Sequence, residues 1–254
     1  MRLPPSSDTL ILEICVDTLE GAWTAAECGA GRIELCAALD VGGLTPSAGM
    51  MSAASKLPVD VYAMIRPRAG DFYYSDAEKA VMLRDIQMAE NAGLEGVVIG
   101  AVTEQRELDR DFLAAAIENT SLSVTLHRAF DTVKDYASAV ETAIELGFER
   151  ILSSGQATTA DLGREALASA VKQAAGRISI MAGSGVSAAN AQSLLAHAGV
   201  HELHASCGSY VDAPSPDALE SKLGFIGETG VRSTDAKLVR ALRDAMDKYL
   251  EAAA

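Results

Sequence analysis

Residues 10–16, LILEICV, and residues 32–37, RIELCA, decide the fold and the candidate site of this chain. Each is a short apolar run typical of a buried strand, and each carries a glutamate followed two residues later by a cysteine. Side chains two apart on a strand share a face. A buried carboxylate without a partner costs several kcal/mol, so two such strands in succession predict one interior polar site. The residues on this shared face are Glu13, Cys15, Glu34 and Cys36.

Short β-rich runs alternate with helical runs along almost the whole chain. Eight such βα units in 254 residues, without an antiparallel turn signal such as Asn-Gly, favour a single (β/α)8 TIM barrel over residues 10–254. An open doubly wound sheet is the alternative, although no GxGxxG follows the first strand. The later strands are predicted at 59–65, 95–100, 122–128, 148–153, 178–183 and 201–205. The helices are predicted at 18–28, 47–57, 75–93, 109–118, 136–146, 159–175, 187–198 and 235–252.

Two segments are predicted to lie outside this pattern. Residues 1–9 have a single arginine and no apolar stretch, so we expect a disordered lead-in and not a secretory signal. Residues 207–233 are rich in Gly, Ser and Pro and are predicted to form a long irregular connection.

Composition restricts the partners. A net charge of −14 argues against nucleic acid, which requires a basic face, and no run approaches the roughly 20 apolar residues of a membrane span. The four cysteines show no CxxC spacing and are most simply reduced cytoplasmic thiols. The expected partner is therefore a metal ion or a small anion.

The site of such a barrel lies at the carboxyl ends of its strands. Glu13 and Glu34 lie one layer deeper, either paired with Arg66 in a structural network or acting as an acid/base pair with a pKa raised by burial. His127 ends the fifth strand, where Asp131 could orient it as a base or a metal ligand, and this pair completes the candidate catalytic set.

Two further groups are candidate ligand sites. Cys15 and Cys36, if opposite each other on adjacent strands, could hold Cu(I) or Zn(II), with Met64 as a possible thioether donor; the alternative is that they are ordinary buried hydrophobes. Glycines and serines after the later strands favour close approach of an anion, although they also suit plain tight turns. The candidate anion-binding residues are Arg66, Arg68, Ser154, Gly183, Ser184, Gly185, His204 and Ser206.

Taken together, these motifs closely resemble the CutC family, named as copper homeostasis proteins. The resemblance implies a (β/α)8 barrel, a cytoplasmic location, a homodimer or higher homo-oligomer, and a Cu(I) site with Cys15 and Cys36 as the thiol ligands. The chain departs from the family pattern at Ser184, where a glycine is expected, and at Gly208, where a basic residue is expected. The matching segments are 12–47, 64–76, 127–131, 151–156, 182–186 and 202–207.

Two functions remain open at this stage. The first is a Cu(I)-binding homeostasis protein. The second is an enzyme of the lyase, isomerase or aldolase type that acts on a small anionic, possibly phosphorylated substrate with a glutamate as acid or base. The second explains more of the charged groups at the strand ends, since a dedicated Cu(I) site favours soft ligands.

Overall fold

Eight parallel strands close into a barrel in the computed structural model, which describes residues 10–211, 218–226 and 230–253. Each strand pairs with the next in sequence, and the eighth pairs with the first. The predicted TIM barrel is confirmed, whereas the predicted lead-in at 1–9 lies outside the described residues. The strands are β1 Ile11–Val16, β2 Arg32–Leu35, β3 Asp60–Met64, β4 Gly96–Ile99, β5 Ser123–Leu126, β6 Arg150–Ser153, β7 Ser179–Gly183 and β8 Glu202–Ala205.

Helices cover the outside of the barrel, and the first five α-helices begin at residues whose side chains cap them. These residues are Thr18, Ser47, Ser75, Asp109 and Asp135. Ser75 accepts from the backbone N–H of Glu78, whose carboxylate in turn accepts from the N–H of Ser75, and Gly93 ends the same helix with a φ of +80°. No helix in the described ranges is both long and apolar enough to cross a bilayer. The helices are α1 Leu19–Glu27, α2 Ala48–Ala54, α3 Asp76–Ala92, α4 Arg110–Glu118, α5 Tyr136–Leu146, α6 Arg164–Ala174, α7 Ala191–Ser193, α8 Leu219–Lys222 and α9 Ala236–Ala253.

Three predicted elements differ from the structure. The helix predicted at 159–175 begins only at Arg164, because the preceding turn packs its backbone against the loop after β6; a Cβ on Gly163 would lie 1.9 Å from the Ser154 carbonyl oxygen. The helix predicted at 187–198 is one turn, α7, followed by a π-helical turn at Leu194–Ala198. The connection predicted to be irregular contains an antiparallel pair, β9 Gly208–Val211 with β10 Val231–Thr234, and the short α8.

Alternation along the strands separates the core into two parts. Leu12, Ile14 and Val16 of β1 pack in the large apolar layer between sheet and helices. The neighbours of these residues face the barrel interior, where Glu13 lies beside Arg32 in register and Cys15 beside Glu34. Because the interior of such a barrel is normally filled by branched apolar side chains, these buried charged groups mark the place where the fold departs from simple packing.

Candidate functional site

A buried ion network forms the floor of the site. Arg32 donates from Nε to Glu13 and from Nη2 to Glu202, and all three side chains are almost fully buried. Arg150 reaches the same Glu202 carboxylate at 3.2 Å. The Tyr62 ring lies 5.2 Å from the Arg32 guanidinium and 5.1 Å from that of Arg150, so the two cations stack on one aromatic ring.

The predicted pairing of Glu13 and Glu34 with Arg66 is therefore wrong. The partner is Arg32, because the register of β1 and β2 places it directly beside Glu13. The signal was present in the sequence, since Arg32 lies two residues before Glu34 and shares its face. Glu202 was also missed; it begins β8 and becomes a neighbour only when the barrel closes.

His204 joins the floor to the mouth of the barrel. Its Nδ1 lies 2.7 Å from Oε1 of Glu13, and its Nε2 lies 3.6 Å from Oε2 of Glu34. Burial alone would lower the pKa of His204, but Cys15, Glu34 and the hydrogen bond to Glu13 outweigh burial and raise the pKa well above its usual value. Burial would raise the pKa of Glu13, but Arg32 and His204 hold it far below the ordinary range.

Glu34 is the carboxylate with the fewest partners in this cluster. Burial raises the pKa of Glu34 to about 7, against the opposing effect of His204. Its Oε2 lies 3.8 Å from the Cys36 sulfur, and its Oε1 is buried without a hydrogen-bond partner among the described residues. A carboxyl group with this pKa exchanges its proton near neutral pH, as a general acid or base must.

His204 and two neighbouring residues form a group of three possible metal ligands. One donor atom each from Cys15, Glu34 and His204 lies within 4.8 Å of the others, and all three residues are buried. The expectation that Cys15 stands directly opposite Cys36 is wrong, because the register pairs Cys15 with Glu34. Cys36 instead packs beside Tyr62, Met64 and Val98, where burial and the nearby Glu34 raise the pKa of its thiol.

This donor set fits copper. A thiolate and an imidazole are both ligands that copper accepts, and the Glu13 carboxylate holds Nδ1 of His204 so that Nε2 faces the other two donors. The carboxylate of Glu34 is a harder ligand, which widens the range of ions that the site can accept.

A cavity of about 210 Å³ opens above these residues. Arg66 is buried in its wall and donates to the backbone carbonyls of Val41, Gly43 and Gly70 at 2.9–3.0 Å. No carboxylate among the described residues forms an ion pair with this guanidinium, and its Nε has no hydrogen-bond partner there. The other polar lining residues are Cys15, Glu34, His127, Arg128, His204, Ser206 and Arg232.

His127 lies in the same wall as a neutral imidazole. Its Nδ1 accepts from the backbone N–H of Ala129 at 3.1 Å, so the ring proton is on Nε2, which is buried without a partner. Burial, assisted by the charge of Arg66, lowers the pKa of His127 to about 3. The Phe72 ring stacks against both, 5.1 Å from the Arg66 guanidinium and 5.0 Å from the imidazole.

The predicted His127–Asp131 pair is wrong. Asp131 is turned toward the loop after β6, where Arg128 donates to it at 2.8 Å and Ser153 at 2.6 Å. Ser154, predicted as an anion ligand, is bound to the same carboxylate at 3.0 Å. These contacts make Asp131 the centre of a separate loop network that fixes the 3₁₀ turn at Arg128–Thr132.

Two further residues predicted to bind an anion, Arg68 and Gly183, have other roles in the structure. Arg68 does not join the cavity, because it binds Asp71 and Glu78 at the surface. Gly183 lies directly under His204; a Cβ there would lie 2.4 Å from Cδ1 of Leu152 and 3.4 Å from Cβ of His204. The absence of a side chain at Gly183 therefore leaves room for Leu152, which lines the cavity together with His204.

The two positions that depart from the family pattern have structural explanations. Ser184 has a φ of +80° and Gly185 a φ of +69°, a region that favours glycine, which accounts for the glycine expected at 184. Arg232 of β10 packs across Gly208 and donates to Ser206 at 2.7 Å. The basic group expected at 208 is thus supplied in space by Arg232, a residue that the sequence pattern did not identify.

The fold and the site define a single-domain (β/α)8 protein with a buried carboxylate, histidine and cysteine cluster at the mouth of the barrel. The model of the CutC family matches residues 10–209, and the chain belongs to that family. A CutC family protein from Sinorhizobium medicae is 48% identical over 239 residues, covering 94% of this chain and 96% of the relative. One from Caulobacter vibrioides is 44% identical over 243 residues, covering 94% and 99%.

Solved structures agree with this assignment. A structure described as a copper homeostasis protein CutC, from Streptococcus agalactiae, has a TM-score of 0.75 and 31% identity, covering 78% of this chain and 99% of its own. Thiamine phosphate pyrophosphorylase from Pyrococcus furiosus has a TM-score of 0.60 at 16% identity, covering 96% and 98%. The second likeness shows the shared fold alone.

Proposed function

We propose that this chain is a copper homeostasis protein that binds one Cu(I) ion at the mouth of the barrel, through Cys15 and His204 with Glu34 as a third donor. The observation that carries the proposal is the meeting of these three donor atoms within 4.8 Å in a buried position. The copper homeostasis description of the Streptococcus agalactiae relative supports it.

The surrounding residues prepare this site for a metal. Glu13 accepts the hydrogen bond from Nδ1 of His204, which leaves Nε2 as the ligand atom once its proton is released. Bound Cu(I) would supply a soft Lewis acid held by a thiolate, and binding would release protons because both the thiol and the imidazolium must give them up. Cys36 stands beside Glu34 and is proposed as a secondary thiol for the same ion.

An anaerobic Cu(I) titration in competition with a chromophoric chelator tests the proposal. We expect one ion per chain, with affinity reduced at least tenfold in Cys15→Ser and His204→Gln and by a smaller factor in Cys36→Ser. Cys28→Ser is the matched control, because Cys28 is a buried free thiol at the end of α1. Unchanged affinity in Cys15→Ser would refute the site.

A second candidate function is an enzyme that acts on a small anionic substrate. The observation that favours it is Arg66, a buried guanidinium without an acidic partner among the described residues, which lines the same cavity as Glu34. Glu34 would then serve as the acid or base. A thermal-shift screen with sugar acids and phosphates, followed by turnover assays of the stabilising compounds with Glu34→Gln, tests it. Equal turnover by Glu34→Gln would refute this role.

We also propose a cytoplasmic location and homo-oligomeric assembly. The free thiols support the first, since reduced cysteines are typical of that compartment. Light scattering coupled to size-exclusion chromatography tests the second, and a monomeric mass would contradict it.

A further inference from the structure

Three buried polar atoms without a hydrogen-bond partner among the described residues belong to residues that line the cavity. They are Nε of Arg66, Nε2 of His127 and Oε1 of Glu34. Buried polar groups in native proteins are nearly always hydrogen-bonded, because an unmet one costs about 1–3 kcal/mol. Three around one cavity indicate that a ligand completes them.

Arg66 determines the charge of that ligand. The guanidinium is buried and held by three backbone carbonyls, which fix its position but do not neutralise it. A buried charge without a counter-ion is strongly unfavourable, so the missing partner is an anion.

His127 contributes a second donor and no second charge. Because Ala129 occupies its Nδ1, the imidazole presents Nε2–H, and its low pKa keeps it neutral over the physiological range. Phe72 stacks against both His127 and Arg66 and holds the two donors on one wall. Two N–H donors beside one positive charge match the two oxygens of a carboxylate.

The third unpartnered atom, Oε1 of Glu34, requires a hydrogen-bond donor on the ligand. Oε1 of Glu34 is an acceptor when the carboxyl group is ionised, and a hydroxyl group of the ligand can donate to it. The cavity of about 210 Å³ has room for a small organic molecule. Its remaining wall includes the apolar side chains of Leu39, Met64 and Leu152. The other two arginines of the lining have partners, since Arg128 is paired with Asp131 and Arg232 donates to Ser206. The buried N–H donors left without a partner among the described residues of this wall are therefore those of Arg66 and His127.

We propose that the cavity binds a small hydroxycarboxylate of three or four carbons. Its carboxylate accepts from Nε of Arg66 and Nε2 of His127, and its hydroxyl group donates to Oε1 of Glu34. This deepens the enzyme candidate by naming a ligand class and rests on that candidate only for turnover. It does not depend on copper.

Calorimetric titration of metal-free protein with glycerate tests the proposal. Propionate, propane-1,2-diol and inorganic phosphate are the comparison probes. We expect glycerate to bind at least threefold more tightly than propionate, which lacks the hydroxyl groups, and the diol not to bind. Tighter binding of phosphate than of glycerate would overturn the carboxylate assignment, and absence of glycerate binding would overturn the proposal.

Variants locate the site. His127→Asn keeps an acceptor for the Ala129 N–H but removes the Nε2 donor, whereas His127→Gln places an amide N–H near the Nε2 position. We expect at least a tenfold loss of glycerate affinity in His127→Asn and in Arg66→Lys, with partial recovery in His127→Gln. Arg68→Lys is the matched control, since this arginine lies two residues away and outside the cavity.

The outcomes separate the proposals. Circular dichroism confirms that each variant is folded, and unchanged affinity in both His127→Asn and Arg66→Lys would refute the inference. Glycerate binding that these variants weaken, without any turnover by the wild type, would support the hydroxycarboxylate site and refute catalysis on glycerate. Hydroxycarboxylate binding that survives in Cys15→Ser would confirm that the anion site is independent of copper.

Discussion

Replacement of Arg32 by methionine is expected to destabilise the protein strongly. Arg32 is the cation between two fully buried carboxylates, and it donates to both Glu13 and Glu202. Methionine replaces the unbranched stem of arginine but not the guanidinium, so it carries no charge and no donor. The substitution therefore leaves two buried negative charges with one fewer positive charge to offset them.

The magnitude follows from the partners that remain. Removal of one partner from a buried ion pair typically costs about 3–5 kcal/mol. Here Glu13 keeps His204 at 2.7 Å and Glu202 keeps Arg150 at 3.2 Å, so we expect the lower end of that range, about 3 kcal/mol. Since a domain is stable by about 5–15 kcal/mol in total, such a loss is a large fraction of the whole.

Equilibrium unfolding in urea, followed by circular dichroism, measures this loss. Arg177→Met is the matched control, because Arg177 makes two 2.8 Å contacts with Glu141 but is about half exposed. An exposed pair contributes at most about 1 kcal/mol. If Arg32→Met lost no more stability than Arg177→Met, the assignment of the network as a buried, stabilising one would be refuted.

The pH dependence provides a second readout of the same variant. Arg32 and His204 hold the pKa of Glu13 far below its ordinary value of 4.5. A lowered carboxyl pKa contributes stability above that ordinary pKa, and the contribution is lost as the pH falls toward the folded-state pKa. The gap between wild type and Arg32→Met should therefore narrow as the pH falls below 4.5, and a gap that widens would contradict this explanation.

Three further predictions concern the mouth of the barrel. Burial raises the pKa of Glu34 from 4.5 to about 7, so the contribution of Glu34 to wild-type stability falls as the pH rises above 4.5. Glu34→Gln removes this fall. Between pH 4.5 and 6.5, the stability of Glu34→Gln relative to the wild type should therefore rise by up to about 1.4 kcal/mol per pH unit in urea unfolding. His127→Asn should show the opposite slope, because a His127 pKa of about 3 makes the wild type lose stability as the pH falls below 6.5. A slope of the wrong sign in either variant would contradict the pKa assignment of the residue that it replaces. Ser184→Gly should be about 1 kcal/mol more stable than Ser184→Ala in thermal unfolding, because both lose the 2.8 Å bond to Thr158 and only alanine keeps a Cβ at a φ of +80°.

The sequence was sufficient for the fold because the signal is local. Each strand is an apolar run ended by a polar loop, helices α1 to α5 each have a capping residue such as Ser75, and eight repeats of this unit have few ways to close. The antiparallel pair of β9 and β10 was missed because its strands are short, exposed and separated by about twenty residues, so neither shows a buried alternating pattern.

The site was predicted less completely because its contacts depend on register and closure. The contact between His204 and Glu13 joins residues 191 positions apart, and only the pairing of β8 with β1 creates it. Likewise, the expected thiol pair failed because the register places Cys15 beside Glu34 and Cys36 two residues further along. The alternation of polar and apolar residues along a strand predicts which side chains face the barrel interior. The register between neighbouring strands decides which of these side chains contact each other.

Hydrogen bonds and ion pairs hold the side chains of the floor and the mouth of the site in fixed positions. This explains why Cu(I) and a small hydroxycarboxylate are both chemically reasonable ligands. Arg32 fixes Glu13, and Glu13 in turn fixes the Nδ1 side of His204, so the ring presents Nε2 to Cys15 and Glu34 without further adjustment. On the opposite wall, Arg66 is fixed by backbone carbonyls and His127 by the Ala129 N–H. A rigid soft-donor wall and a rigid anion-binding wall therefore share one cavity. The proposed metal donors and the proposed hydroxycarboxylate partners have only Glu34 in common, so each ligand should still bind when the anchoring residues of the other wall are substituted.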